Sequence, residues 1–275
     1  MSILADFHLH SSYSGDCRAK METQIEAGLS RGLKYMCFTD HYDPDFPYDK
    51  LPDAEPGEFE LDHRAYREEY LAMKDRYAGR IQLYYGVELG LQPHLGGFLA
   101  SYTADHPEFD FIIGSNHLCG GIDPYYPIFL ENRSEEEAMA LYLEETLNNL
   151  RSFSGIDSCG HLDYVSRYLP HRERFYTYAA YADRIDPILE FILQRGIALE
   201  VNTAPLMKGI RHFNPLPDVL KRYREMGGEL ITIGSDAHLP WKVAGKFKMA
   251  AEILLDLGFK YYAVYENRTP QMLPL

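Results

Sequence analysis

Cysteine is scarce in this 275-residue chain, and its four copies, Cys17, Cys37, Cys119 and Cys159, are scattered without a CxxC pair. That argues against a zinc ribbon or a dithiol redox motif. Cys37 and Cys159 lie in apolar, strand-like runs and read as small core residues. A reducing cytoplasm is the expected setting. No apolar run approaches the ~20 residues of a membrane span, so no membrane partner is expected. The opening MSILADFHLH has no basic stretch followed by an apolar one, and no secretion signal is expected. Basic residues are also in short supply: 27 Lys and Arg face 41 Asp and Glu, a formal net charge of −14. Broad nucleic-acid binding, which needs a basic face, is therefore not expected. The same balance does not exclude a small anionic substrate, because divalent metals held among acids invert the local field. Low-complexity tracts, Gly/Ser linkers and repeats of fixed period are absent too. Residues 1–275 are expected to form a single domain, with 46% hydrophobic residues to fill its core.

What is present is a structural beat. The β-rich runs ADFHLH, KYMCFTDH, IQLYYGVE, FDFIIGSNH, IDSCGHLD, IALEVNT and ELITIGSDAH alternate with segments of helical spacing. METQIEAGLSRG and the leucine after it carry Ile25, Leu29 and Leu33 on one face. SEEEAMALYLEETLNNLRSF opens on Ser134 with Glu137 three residues later, a capping-box signature. Tyr181–Gly196 and Trp241–Gly258 are expected as two further helices, each closing on glycine. Such alternation implies parallel strands joined by crossovers. The tail FKYYAVYENRTP is expected to add a last short strand. Each run ends in a group able to bind metal or substrate: His8 and His10, His41, Glu88, His117, His161, Asn202, then Asp236 and His238. An open doubly wound sheet brings only its switch-point strands to a site. A barrel brings every C-terminal strand end to one mouth, so the pattern favours a barrel.

The histidines sharpen this reading. Residues i and i+2 of a strand face the same way, about 6–7 Å apart, so His8 and His10 address one point. Alone, the pair is equally compatible with two surface histidines at a strand end. Six of the eleven histidines, however, sit at strand ends: His8, His10, His41, His117, His161 and His238. With Asp16, Glu88 and Asp236 they make nine candidate metal ligands, too many for one four-coordinate ion, with Glu88 free to bridge. Imidazole and carboxylate suit zinc, manganese or iron. Two or three such ions a few ångströms apart polarise a phosphoryl oxygen, and hydrolysis is the natural chemistry.

HLH, TDH, GVE, GSNH, GHLD and SDAH, in this order, resemble the motifs of the PHP (polymerase and histidinol phosphatase) superfamily. The SGD after HxH, GVELG, IIGSNH and the EVNT strand look most like its histidinol-phosphatase branch. The resemblance runs from His8 to His238. It implies a distorted seven-stranded (β/α) TIM-like barrel with two to three divalent ions (Zn, Mn or Fe) at the C-terminal strand ends. It assigns His8, His10, Glu88 and Asp236 to one ion, Glu88, His117 and His161 to a second, and Asp16, His41 and His238 to a third. Some relatives carry a histidine where this chain has Asp16. The implied reaction is hydrolysis of L-histidinol phosphate in histidine biosynthesis by a metal-bridging hydroxide. A metal-bound water or the catalytic pair Asp236 and His238 would protonate the leaving group. The alternative is another small phosphomonoester, a nucleotide or phosphotyrosine at the same site. A barrel kept only for binding would be expected to lack ligands, and all nine are present.

The resemblance departs at EVNTAPLMKGIR, where Met207 stands in place of an expected arginine. Arg167, Lys208 and Arg211 are the candidate phosphate contacts, each set against a plain surface role. Asp40 is read as a partner orienting a ligand histidine or as a strand cap, and Asn202 as a mouth or turn residue. Tyr13 is a candidate for packing on a substrate ring. The proline-bearing segment 42–62 is a candidate lid or an acidic surface loop.

Overall fold

A computed structural model describes residues 3–51 and 54–275; residues 52 and 53, within the segment 42–62, lie outside the described residues. The first strand, β1, is Ala5–Leu9, followed by helix α1, Met21–Ser30. Next come β2 (Tyr35–Phe38), β3 (His41–Tyr42), α2 (His63–Arg76), β4 (Gln82–Gly90) and α3 (Gly96–Asp105). The middle of the chain forms β5 (Phe111–Ser115), α4 (Glu135–Ser152), β6 (Ser158–Cys159), α5 (Tyr178–Arg195) and β7 (Ala198–Asn202). The last part forms α6 (Ala204–Met207), α7 (Pro217–Glu225), β8 (Ile231–Gly234), α8 (Phe247–Asp256), β9 (Tyr261–Glu266) and β10 (Thr269–Pro274).

Strands pair in the order β1-β2-β4-β5-β6-β7-β8, all parallel, and β3 continues the path of β2 by pairing His41 with Glu88 on β4. The ring closes where β8 meets β1. Leu9 bridges to Ala237 in parallel, Asp236 N donates to His8 O at 2.7 Å, and His10 N donates to Ala237 O at 3.1 Å. The result is a nearly closed, distorted TIM-like barrel of seven parallel strands, with helices outside. Strands covered on both faces read as continuous apolar runs, and β4, QLYYGVELG, is buried at every position after its first.

Gly234 makes the closure possible. A Cβ there would collide with the Cβ of His8 and lie 2.9 Å from a Glu200 carboxylate oxygen. Gly234→Ala is expected to push His8 out of place and to cut kcat/KM by about 10²-fold, the usual cost of a misplacement of ~1 Å. Steady-state kinetics with a circular-dichroism check of folding would test this; unchanged kinetics would mean that β1 gives way harmlessly.

Local signals explain the helix ends. Ser134 Oγ accepts from Glu137 N at 3.2 Å and Glu137 caps Ser134 N at 2.8 Å, a complete capping box for α4. Gly196 ends α5 in the left-handed region, at φ 66°. Two expectations need correction. The helix expected from Trp241 begins only at Phe247, because Ala244 and Lys246 take φ of 51° and 64° and Asp6 captures Ala244 N at 2.9 Å. The tail does not add a barrel strand. Strands β9 and β10 form a separate antiparallel hairpin, turned at Asn267 and Arg268 with φ of 48° and 61°. The hairpin packs at the N-terminal strand ends, away from the histidines: Tyr265 lies 5.0 Å from Phe111, and Asp157 pairs with Arg268.

Candidate metal centre and active site

Glu88, fully buried near the end of β4, is the hub of the C-terminal mouth. Its Oε1 accepts from Ser115 Oγ at 2.6 Å and lies 2.9 Å from His161 Nε2 and 3.1 Å from His117 Nε2. Its Oε2 lies 3.1 Å from His8 Nε2, 3.1 Å from His41 Nδ1 and 3.5 Å from His10 Nε2. Asp236 Oδ1 is 3.5 Å from His10 Nε2 and 3.5 Å from His238 Nδ1. Asp16 lies 3.0 Å from His238 Nε2 and 3.8 Å from His41 Nε2. All nine sequence-derived ligand candidates are thus gathered at one mouth.

Their donor atoms form overlapping sets: His10, His41 and His238; His8, His10 and Asp236; His8, Glu88 and His161; His41, Glu88 and His117. The division differs from the one the resemblance implied. His41 falls with His117 as well as with His238, and Asp16 falls in none of these sets.

The chemistry of the mouth fits divalent cations. His8 Nε2, His10 Nε2, His41 Nδ1, His161 Nδ1, His238 Nε2 and Glu88 Oε2 are buried without a hydrogen-bond partner among the described residues. Unpaired buried polar atoms are costly, and several converging on one space call for a cation. The electrostatics agree. Burial would raise the Glu88 carboxyl, yet the surrounding histidines outweigh it and hold it well below the usual range. For His8, burial opposes charging, and Glu200, Glu88 and Asp236 together reverse that and push its pKa well up. His10 is driven well down, by burial and by His238 and His41. Carboxylates this deep demand positive charge nearby, which bound metal ions would supply.

Groups behind the histidines fix their tautomers. Glu200 Oε1 sits 2.5 Å from His8 Nδ1, and its Oε2 accepts from His161 N at 2.6 Å. Asp43 holds His117 Nδ1 at 2.7 Å. Ser14 Oγ donates to Asp40 at 2.7 Å and so presents a lone pair to His10 Nδ1 at 3.0 Å. For His8, His10 and His117 the opposite ring nitrogen then faces Glu88, on the side where a metal ion would be held. Asp40, which also accepts from Ser11 N at 2.7 Å, therefore orients His10 through Ser14. Sequence reasoning missed Glu200, Asp43, Ser14 and Ser115. The signal for two of them was available: Glu200 precedes Asn202 by two residues and Asp43 follows His41 by two, the spacing already used for His8 and His10.

A cavity of about 690 Å³ opens over this cluster. Near Asp236 its wall carries Arg167, Lys208 and Lys242. Arg167 donates to Asp236 at 2.8 Å, to Asn202 at 2.9 Å and to Asn214 at 2.7 Å, and is no plain surface arginine. Asn202 serves mouth and turn together, since its Oδ1 also accepts from Ala204 N at 3.1 Å. Near His117 the wall is acidic and aromatic. Asp123, 9% exposed, accepts from Tyr125 N at 2.8 Å and from Tyr164 OH at 3.3 Å, both through Oδ1. Burial raises its carboxyl to about 6.

Two candidates, Arg211 and Tyr13, fall away from the cavity. Arg211 is exposed and does not line it. Met207 turns its side chain against Gly245, so neither residue stands in for the expected arginine. Tyr13 donates to Glu69 at 2.9 Å and to Ala65 O at 3.0 Å and is likewise absent from the lining. The described part of 42–62 builds its own small core, with Phe46, Leu51 and Ala54 against Leu118, and lends Phe46, Glu58 and Phe59 to the cavity wall.

Comparison with known proteins agrees with this geometry. Residues 6–204 match the PHP domain family. The chain is 34% identical to a probable histidinol-phosphatase of Clostridium acetobutylicum, over 93% of this chain and 94% of that protein. It is 28% identical to the histidinol-phosphatase of Lactococcus lactis, over 95% and 94%. The crystal structure of the L. lactis histidinol phosphate phosphatase, complexed with zinc, L-histidinol and phosphate, superposes with a TM-score of 0.85 at 27% identity, covering 97% of this chain and 98% of that one.

Proposed function

The chain belongs to the PHP domain family, and from that premise we propose that it is a metal-dependent phosphomonoesterase that hydrolyses L-histidinol phosphate to L-histidinol and phosphate. The observation that carries the reading is the cluster of buried, unpartnered imidazole and carboxylate atoms around Glu88 at the floor of the cavity. The ligand set is His8, His10, Asp16, His41, Glu88, His117, His161, Asp236 and His238, for two to three ions of zinc, manganese or iron. Bound there, such ions neutralise phosphoryl oxygens and acidify water. The protein's own groups do the rest. Arg167 and Lys208 offset the charge of the ester, and Arg167 holds Asp236 in place. A water held by the ions, or His238 with Asp236 beside it on the cavity wall, would supply the proton needed by the leaving alkoxide. Residues 1–275 act as one catalytic unit. No helix among the described residues is long and apolar enough to cross a membrane, and all four cysteines are free, in keeping with a cytoplasmic enzyme.

The acidic, aromatic wall supports an amine-bearing substrate. Asp123 lines the cavity and has one oxygen committed to Tyr125 and Tyr164; the other meets no donor among the described residues. Asp123→Asn is expected to raise KM for L-histidinol phosphate by roughly ten- to a hundredfold, the value of a charge-assisted hydrogen bond. Hydrolysis of p-nitrophenyl phosphate, which has no amine, is expected to change little. Equal effects on both esters would place Asp123 outside substrate recognition.

The reading as a whole is tested by phosphate release from L-histidinol phosphate beside sugar phosphates, nucleotides and phosphotyrosine, with and without Mn²⁺ or Zn²⁺. A strong preference for histidinol phosphate is expected. Activity centred on another ester would mean that the Met207 segment accompanies a change of substrate on the same metal site.

A further inference from the structure

A guanidinium has five N–H groups in a rigid plane. In Arg167 three are committed: Nε to Asn214 Oδ1 at 2.7 Å, Nη1 to Asp236 Oδ2 at 2.8 Å, and Nη2 to Asn202 Oδ1 at 2.9 Å. One N–H on each terminal nitrogen remains for an anion. The plane in which these two lie depends on what holds Nε, and so on which way the Asn214 amide points.

An amide can present either its oxygen or its NH₂ group. Asp163 removes that freedom. Its carboxylate only accepts, and its Oδ1 takes a hydrogen bond from Asn214 Nδ2 at 2.6 Å. Its Oδ2 is occupied by donors from Tyr176 OH at 2.7 Å and Leu216 N at 3.2 Å. Asn214 Nδ2 also donates to Ser166 Oγ at 3.2 Å. The NH₂ group of Asn214 must therefore face Asp163, and its oxygen must face Arg167. Asp163 and Asn214 are both fully buried, so water cannot substitute for either partner. Neither lines the cavity.

We propose that Asp163, acting through Asn214, is a positioning residue that sets the plane of Arg167 and thereby its grip on phosphate. The proposal rests on the phosphomonoesterase reading for its ligand, and it concerns residues that touch neither substrate nor metal.

The experiment is an exchange of the two side chains in the metal-loaded, full-length protein. In Asp163→Asn the new NH₂ group opposes either Asn214 Nδ2 or the Leu216 N–H, or Asn214 flips and turns its NH₂ on Arg167 Nε. In Asn214→Asp two carboxylates oppose each other. In the double variant Asp163→Asn/Asn214→Asp, the new amide donates to the new carboxylate, whose other oxygen still accepts from Nε. Each single variant is expected to raise the Ki of inorganic phosphate and the KM for L-histidinol phosphate about tenfold, with metal content unchanged. The double variant is expected to return to within about threefold of wild type.

A purely structural role would move Tm and leave Ki and KM alone, and that result overturns the proposal. So does a double variant that regains Tm without regaining Ki. Should a single variant fail to fold, Tyr176→Phe removes one hydroxyl that orients Asp163. It is expected to raise Ki two- to threefold, and an unchanged Ki again counts against the idea. Calorimetric titration with inorganic phosphate separates the two readings. A protein that binds phosphate but does not hydrolyse histidinol phosphate refutes the function while the exchange still decides the positioning role. A wild-type protein that binds no phosphate refutes the positioning role.

Discussion

Replacing Glu88 by glutamine is expected to abolish phosphate release and to strip metal from the protein together. Glutamine keeps the size of the side chain, so the packing of β4 is undisturbed. What disappears is the charge shared among His8, His41, His117 and His161, each within 3.1 Å of a Glu88 oxygen. No neighbouring carboxylate can take over, because Glu88 alone reaches all four of these rings among the described residues. A loss in kcat/KM of at least ~10³-fold is expected, equivalent to about 4 kcal/mol of transition-state stabilisation. Metal content by mass spectrometry and kinetics on the same preparation check it. Retention of the full metal complement with activity within tenfold of wild type would remove Glu88 from the centre of the site.

Chelation of the wild-type protein should produce the other large effect. An ion that binds only the folded state stabilises it by RT ln(1 + [L]/Kd), about 4 kcal/mol at a thousandfold excess over Kd. For a chain of this size each kcal/mol is worth roughly 2–4 °C, so a chelator is expected to lower Tm by about 10 °C. Removing the ions leaves Glu88, Asp236, Glu200 and Asp43, all at most 9% exposed, to be balanced by histidines and Arg167 alone. Differential scanning calorimetry with a chelator, then with added Zn²⁺ or Mn²⁺, provides the measurement. A Tm indifferent to both steps would mean that the imidazole cluster carries no resident ions.

The alternation of β-rich runs and helical segments, the barrel, and the gathering of nine potential ligands at its mouth were legible from residue order. The capping box at Ser134 and the stop at Gly196 were legible for the same reason, since a cap involves only a few successive residues. The late start of α8 was not, because it depends on Asp6 capturing the backbone of Ala244, 238 positions away in sequence. The tail was legible as strand but not as a hairpin outside the barrel. Its place follows from Tyr265 packing on Phe111 and Arg268 pairing with Asp157.

By itself the sequence determined that histidines and carboxylates converge, because strand periodicity and the C-terminal position of each polar residue are local properties that a parallel barrel turns into proximity. Only the tertiary structure decided what those residues do to one another. It set Glu200 behind His8 and Asp43 behind His117, and it joined Asp163, Asn214, Arg167 and Asp236 into one buried chain. It also turned Arg211 and Tyr13 away from a mouth that lies close to them in sequence terms. The physical reason is that a hydrogen bond's direction depends on the packing of partners 47 to 192 residues apart, as in Arg167 with Asn214 and His8 with Glu200. Spacing along one strand carries no record of those distances.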